Sequence, residues 1–160
     1  VKELQELLKN PRDLVKAVES LVQERNDLRK ELEQLQLEKS AGIKEQLKGQ
    51  FVQKDTMQVL IAAVTLPNAD FLKKLVYELK NEVSNACIVL AATIEDKPQV
   101  AVFIDESLLE ATGLHAGNLV RELAKEIQGG GGGQPFFATA GGKDLAGLPQ
   151  VVAKAKSILL

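Results

Sequence analysis

The chain has 160 residues, 45% hydrophobic and 26% charged, with a formal net charge of −2, one cysteine and one histidine. A lone Cys87 excludes an internal disulfide framework and a cysteine-based zinc site, and a lone His115 excludes a multi-histidine metal centre. No apolar run approaches the roughly 18 to 20 residues of a membrane span, and VKELQELLKN carries no signal-peptide core, so a soluble protein of the reducing cytoplasm is expected; the missing initiator methionine reads as the mark of a fragment.

Two parts are predicted, a helical segment over 1–50 and a globular domain over 56–160. Leu4, Leu7 and Leu8 give residues 1–9 a helical stripe that Asn10-Pro11 ends. A second helix is expected from Pro11, capped by Asn10, with Leu14, Val18, Leu21, Leu28, Leu32 and Leu35 on a heptad seam that Arg25 interrupts. Ser40-Ala41-Gly42 is expected to weaken it before Ile43 and Leu47 resume the stripe. So narrow a seam needs a partner helix, either within the parent protein or from a second copy in a homodimer.

The globular part starts with the β-branched run 57–66, read as a buried strand. Asn68 caps a helix over 69–83, and a second buried strand follows over 87–94. The turn 95–98 leads into a third strand over 99–105, which makes an antiparallel hairpin, whereas the helical crossover makes the first two strands parallel. A short helix over 107–111 stops at Gly113; another, with Ala116, Leu119, Val120, Leu123, Ala124 and Ile127 on one face, stops at Gly129. A short strand over 135–140 and a last helix from Pro149, with Val152, Ala155 and Leu159 inward, complete the chain. The fold class is α/β: long N-terminal helices of coiled-coil type, then a mixed sheet flanked by helices.

The segment GGGGGQPFFATAGGKD, residues 129–144, is where composition points to a ligand. Successive glycines expose backbone amides that wrap an anion in a nest, or let a phosphodiester approach without side-chain clash; the alternative is a plain linker. Mononucleotide loops fail on spacing. A P-loop ending at Gly142-Lys143 would need glycine at Phe137 and a hydroxyl residue at Asp144, and a Rossmann fingerprint would need glycine at Gln134. A Ser-His-Asp triad is conceivable only around His115, and the vicinal acids Glu95-Asp96 and Asp105-Glu106 form no pair suited to acid-base work, so neither a catalytic nor a metal site is predicted.

The glycine run followed by Pro, an apolar pair and Ala-x-Ala-Gly-Gly, and preceded by HAGNLVRELAKEIQ, resembles the C-terminal domain of bacterial alanyl-tRNA synthetases, a type of domain that also follows DHH phosphoesterase domains. The N-terminal helices resemble the segment joining that domain to the editing domain. The resemblance implies an appendage without a catalytic site that binds the elbow of alanine-specific tRNA and brings aminoacylation and editing onto it, with the other synthetase domains as partners and no membrane. ATP with magnesium, and zinc, belong by resemblance to the parent enzyme, and this chain is expected to hold no cofactor.

The expected RNA-binding residues fall in two groups. His115 precedes a helix, where it either donates to phosphate or caps, and Asn118 and Arg121 lie on that helix's polar side. In the loop stand Gly129, Gly130, Gly131, Gly132, Gly133, Gln134, Gly141, Gly142 and Lys143, with Thr139 a weaker candidate. Phe136 and Phe137 point to opposite faces of a strand, so one packs in the core while the other, assigned to Phe136, stacks on a base. Charge runs against this reading, since residues 57–160 carry nine basic and eleven acidic groups, but Lys143, Lys154 and Lys156 with Arg121 and Lys125 offer a local basic patch. Two other functions fit the same residues: an oligomerisation appendage, and a nucleic-acid clamp attached to a DHH-family phosphoesterase.

Overall fold

Residues 1–160 are described by a computed structural model, and the chain divides into two units, Val1–Lys39 and Ser40–Leu160. In the first, helix α1 (Lys2–Leu7) gives way to Lys9 and Asn10, both left-handed at φ 58° and 53°. An N-cap needs extended backbone, so Asn10 cannot cap the helix predicted from Pro11. Helix α2 (Leu14–Lys48) begins three residues later instead, where the Asp13 carboxylate accepts the Lys16 amide at 3.2 Å. It continues unbroken through Ser40-Ala41-Gly42. The seam residues Leu21, Leu28, Leu32 and Leu35 are all exposed.

In the second unit, strands β1 (Val52–Lys54), β2 (Met57–Leu66), β3 (Ala86–Ile94), β4 (Lys97–Ile104), β5 (Gly130–Gly133) and β6 (Phe137–Gly141) form one sheet in the order β1-β2-β3-β4-β6-β5. Helix α3 (Ala69–Lys80), capped by Asn68 through the Phe71 amide at 2.9 Å, is the crossover that makes β2 and β3 parallel; the other pairs are antiparallel. The predicted mixed sheet is therefore the observed one. The β3–β4 connection is tighter than the expected four residues. Only Glu95 and Asp96 lie between the strands, both left-handed at φ 50° and 60°, the mirror-image turn that matches strand twist. Strand β1 was not foreseen, because three residues after a helix end carry no periodicity.

Alternation along the central strands builds two apolar layers. The register aligns Val59, Cys87 and Ile104 on one face and Leu60, Ile88 and Phe103 on the other. The first face packs against α4 (Glu106–Thr112), α5 (Ala116–Ala124), a 3-10 turn (Lys125–Ile127) and α6 (Leu148–Leu159). The second packs against α3 and Leu47. Helix α6 starts at Leu148, one residue before the predicted Pro149; its buried face is Leu148, Val151, Ala155 and Leu159, and the expected inward Val152 is half-buried beside it. Burial inside β3 pushes the Cys87 thiol up to about 12, as befits a core residue.

Candidate nucleic-acid interface

The glycine run is neither a loop nor a nest: Gly130–Gly133 is the edge strand β5, paired antiparallel with β6. Five glycines have no side chains to alternate, so the pattern that marks a strand is missing, yet their bareness is what permits the pairing. A β-carbon on Gly131 would stand 2.5 Å from Ala140 Cα and 2.6 Å from its Cβ, well inside normal contact. The helix predicted to run up to Gly129 ends as an α-helix at Ala124 and continues as the 3-10 turn to Ile127. Gln128, not Gly129, takes the left-handed conformation at φ 50°, while Gly129 is needed bare for its close approach to the Gly141 carbonyl.

Most backbone amides expected to cradle an anion are already bonded. Gly129 donates to Ala124 O (3.0 Å), Gly142 to Pro98 O (3.1 Å), and both Lys143 (2.9 Å) and Asp144 (3.0 Å) to Ile127 O. The Gln134 amide donates to Phe137 O at 2.8 Å, which sets the phase of the ladder: alternation then leaves the amides of Gly131 and Gly133 directed away from β6, at the outer edge of the sheet. The amides of Gly131 and Gly133 are thus the donors of the run left uncommitted to β6.

At the Gly133 end, β5 meets the start of α5. His115 is the N-cap of that helix, its Nδ1 accepting the Asn118 amide at 3.3 Å. Of the two roles open to His115, capping occupies Nδ1 and leaves Nε2–H as a donor. A β-carbon on Gly117 would lie 3.0 Å from His115 Cε1 and 3.2 Å from Gly133 O, which places the imidazole beside the strand; Arg121, one turn on, rests its guanidinium against Gly132. Asn118 is exposed on the same helix and Gln134 is exposed where the strand turns.

The expected basic patch is smaller than the sequence count. Lys154 is held by Glu126 at 3.0 Å, and Lys125 by Glu122 at 2.7 Å; that Lys125 hydrogen bond, then its charge, holds the Glu122 carboxyl below its ordinary value. Arg121, Lys97 and Lys143 have no carboxylate partner. At the Gly130 end, Gly129, Gly130, Gly141, Gly142 and Lys143 come together in an open cleft of about 360 Å³ with Lys97, Pro98, Gln99 and Gln128. The sequence reading missed Lys97 and Gln99, since nothing in a hairpin end announces proximity to a glycine run some thirty residues distant, and it passed over Gln128, which directly precedes Gly129. Both rings are half-buried: Phe137 packs against the α3-side core and lies tilted on Tyr77 with centroids 5.4 Å apart, while Phe136 sits before β6 and its carbonyl accepts the Ile104 amide at 2.8 Å. Thr139 is exposed on β6.

A family model described as the DHHA1 domain matches residues 56–160. This chain belongs to the DHHA1 domain family. Among its relatives, the alanine-tRNA ligase of Cytophaga hutchinsonii is 46% identical over 154 residues, covering 96% of this chain and 18% of that protein. The alanine-tRNA ligase of Christiangramia forsetii is 38% identical over 159 residues, covering 99% and 18%. The chain therefore spans about 18% of the length of the curated relatives it matches. The crystal structure of the C-Ala domain from Aquifex aeolicus alanyl-tRNA synthetase superposes with a TM-score of 0.60 at 22% identity, covering 68% of this chain and 96% of that one, and shares the fold. In this DHHA1 domain, the glycine segment is the edge strand just described. No helix is long and apolar enough to cross a membrane.

Proposed function

We propose that this chain is the tRNA-binding module of an alanine-tRNA ligase, and that β5, with Arg121 at one end and Lys143 at the other, is the surface that meets the RNA. The observation that carries the reading is the placement of unpaired cations, Arg121 beside Gly132 and Lys143 beside Gly142, around an edge strand without side chains. Outward amides at Gly131 and Gly133 and the Nε2–H of His115 supply donors to phosphate or ribose, Asn118, Gln134 and Thr139 border them, and Phe136 is the ring assigned to base stacking. In this reading the RNA partner is the elbow of alanine-specific tRNA, the other domains of the same cytoplasmic synthetase are the protein partners, and the module links aminoacylation with editing. ATP, magnesium and zinc belong to those other domains. The residues here do not suit a metal: the Cys87 sulfur is sealed inside the sheet and the His115 Nδ1 is engaged as a cap.

Few phosphate contacts imply a shallow salt dependence. Each contributes about −0.7 to −0.9 to the slope of log K against log salt, so two or three contacts give roughly −1.4 to −2.7. Titrating the chain with tRNA between low and moderate salt tests the proposal: Arg121→Glu should weaken binding and flatten the slope by about 1. Absence of binding by the wild-type chain at low salt would overturn it. A second reading rests on the exposed leucines of α2, a seam for self-association as a homodimer. Sedimentation at high concentration decides it, a monomer ruling it out.

A further inference from the structure

Within the surface proposed above, and resting on that proposal, the cleft at the Gly130 end has a chemistry of its own. Three separate segments converge on it: the start of β4 brings Lys97 and Gln99, the end of the 3-10 turn brings Gln128, and the end of β6 brings Lys143. None of these four side chains is engaged in a hydrogen bond or ion pair within the protein, and no acid lines the cleft. Of the acids nearest in sequence, Asp144 is occupied with the Ala146 amide at 3.1 Å, and Glu95 and Asp96 form the hairpin turn. Two ammonium groups and two amides without an internal partner, gathered from three segments around one opening, are a lining suited to an oxyanion.

The cleft floor adds an independent observation. Gln99, Gly141 and Gly130 form a row across β4, β6 and β5. A β-carbon on Gly130 or Gly141 would meet nothing within 4 Å, and neither residue has positive φ. Packing and conformation explain glycine at 129, 131 and 142, where a side chain would strike backbone, but they do not explain it at 130 and 141. Glycine inside a strand weakens it, so its presence without a structural demand fits a site where something else approaches the backbone closely.

We infer that this cleft seats one phosphodiester group of the bound RNA, with Lys97 and Lys143 neutralising its charge, Gln99 and Gln128 donating to its oxygens, and the Gly130–Gly141 pair leaving room for it. Lys97, Gln99 and Gln128 are thereby RNA-contacting residues, and of these Lys97 and Gln99 are joined to the glycine segment only by the fold.

The experiment is tRNA titration of the 160-residue chain at several salt concentrations, with Lys97→Glu and Gly141→Val beside wild type and Arg121→Glu, together with thermal melts. The expected result is that Lys97→Glu weakens binding and reduces the salt slope by about 1. Gly141→Val should weaken binding while melting no lower than wild type. If wild type binds and Arg121→Glu weakens binding while Lys97→Glu and Gly141→Val both bind as wild type, this inference is overturned and the tRNA-binding proposal stands. If wild type does not bind tRNA, both fall. Inorganic phosphate at matched ionic strength, followed through the amide resonances of Gly130 and Gly141, separates the two sources of phosphate: shifts there, with tRNA affinity indifferent to Lys97→Glu, would assign the cleft to free phosphate and overturn the RNA assignment.

Discussion

Whether the glycine run is a packed strand or a free loop is decided by comparing Gly131→Ala with Gly130→Ala. The two residues are neighbours of identical chemistry in the same run, so a loop would treat them alike. In the strand, a β-carbon at 131 would sit 2.5 Å from Ala140 Cα and 2.6 Å from Ala140 Cβ, against an optimum of about 3.5 to 4.0 Å, so β5 and β6 must part by about 1 Å. Overpacking of that kind costs about 1 to 3 kcal/mol. A β-carbon at 130 meets nothing, and replacing glycine in a strand there gains about 0.5 to 1 kcal/mol. For a unit of about 120 residues, 1 kcal/mol moves the melting temperature by about 4 °C. Thermal unfolding followed by circular dichroism should therefore show Gly131→Ala melting roughly 4 to 12 °C below wild type and Gly130→Ala level with it or a few degrees above. Equal melting temperatures for the two variants would refute the strand and the argument built on it.

Three further outcomes follow from the core and its margins. Leu79 of α3 is fully buried against β3, so Leu79→Ala should cost about 2 to 5 kcal/mol in chemical denaturation, and a loss under 1 would contradict the packing. With its thiol pushed up to about 12, Cys87 should resist alkylation at neutral pH in the native state and react stoichiometrically in denaturant; labelling at the rate of an exposed cysteine would show the sheet to be open. Glu82 bonds Lys44 at 3.1 Å and Lys48 at 3.2 Å, and these bonds, Lys44 first, hold its carboxyl below the ordinary 4.5. A folded pKa below the unfolded one stabilises above 4.5 and ceases to do so as acidification passes the folded value, so Glu82→Gln should lower the melting temperature slightly at neutral pH, less at high salt, and not at all in strong acid. The same sign reversed applies to Lys48, whose raised pKa, owed first to Glu45 and then to Glu82, gives support that disappears in strong alkali.

Much of the fold was legible because side chains carry periodicity. MQVLIAAVTL and CIVLAATI are apolar on both sides, which is the signature of strands covered by helices on both faces, and Asn68 marks a helix start by the one hydrogen bond it makes to the backbone. The start of α2 was misplaced because Asn10 is left-handed and cannot cap, which backbone conformation settles and composition does not. The candidate site was less legible for the opposite reason. Glycine has no side chain to alternate, so β5 left no pattern, and the basic residues counted as a patch could not be sorted into paired and free until Glu122 and Glu126 were seen beside Lys125 and Lys154.

What the sequence determined by itself is local and compositional: helices, buried strands, the parallel crossover, the absence of disulfide and multi-histidine chemistry, and the glycine segment that carries the family resemblance. Tertiary structure alone decided that the segment is a sheet edge whose amides are largely spent, that His115 and Arg121 flank one end of it, and that Lys97, Gln99 and Gln128 join Lys143 at the other. The reason is physical. Local structure follows from the propensities of neighbouring residues, whereas hydrogen-bond satisfaction and charge pairing depend on which distant segments the packed core brings into contact.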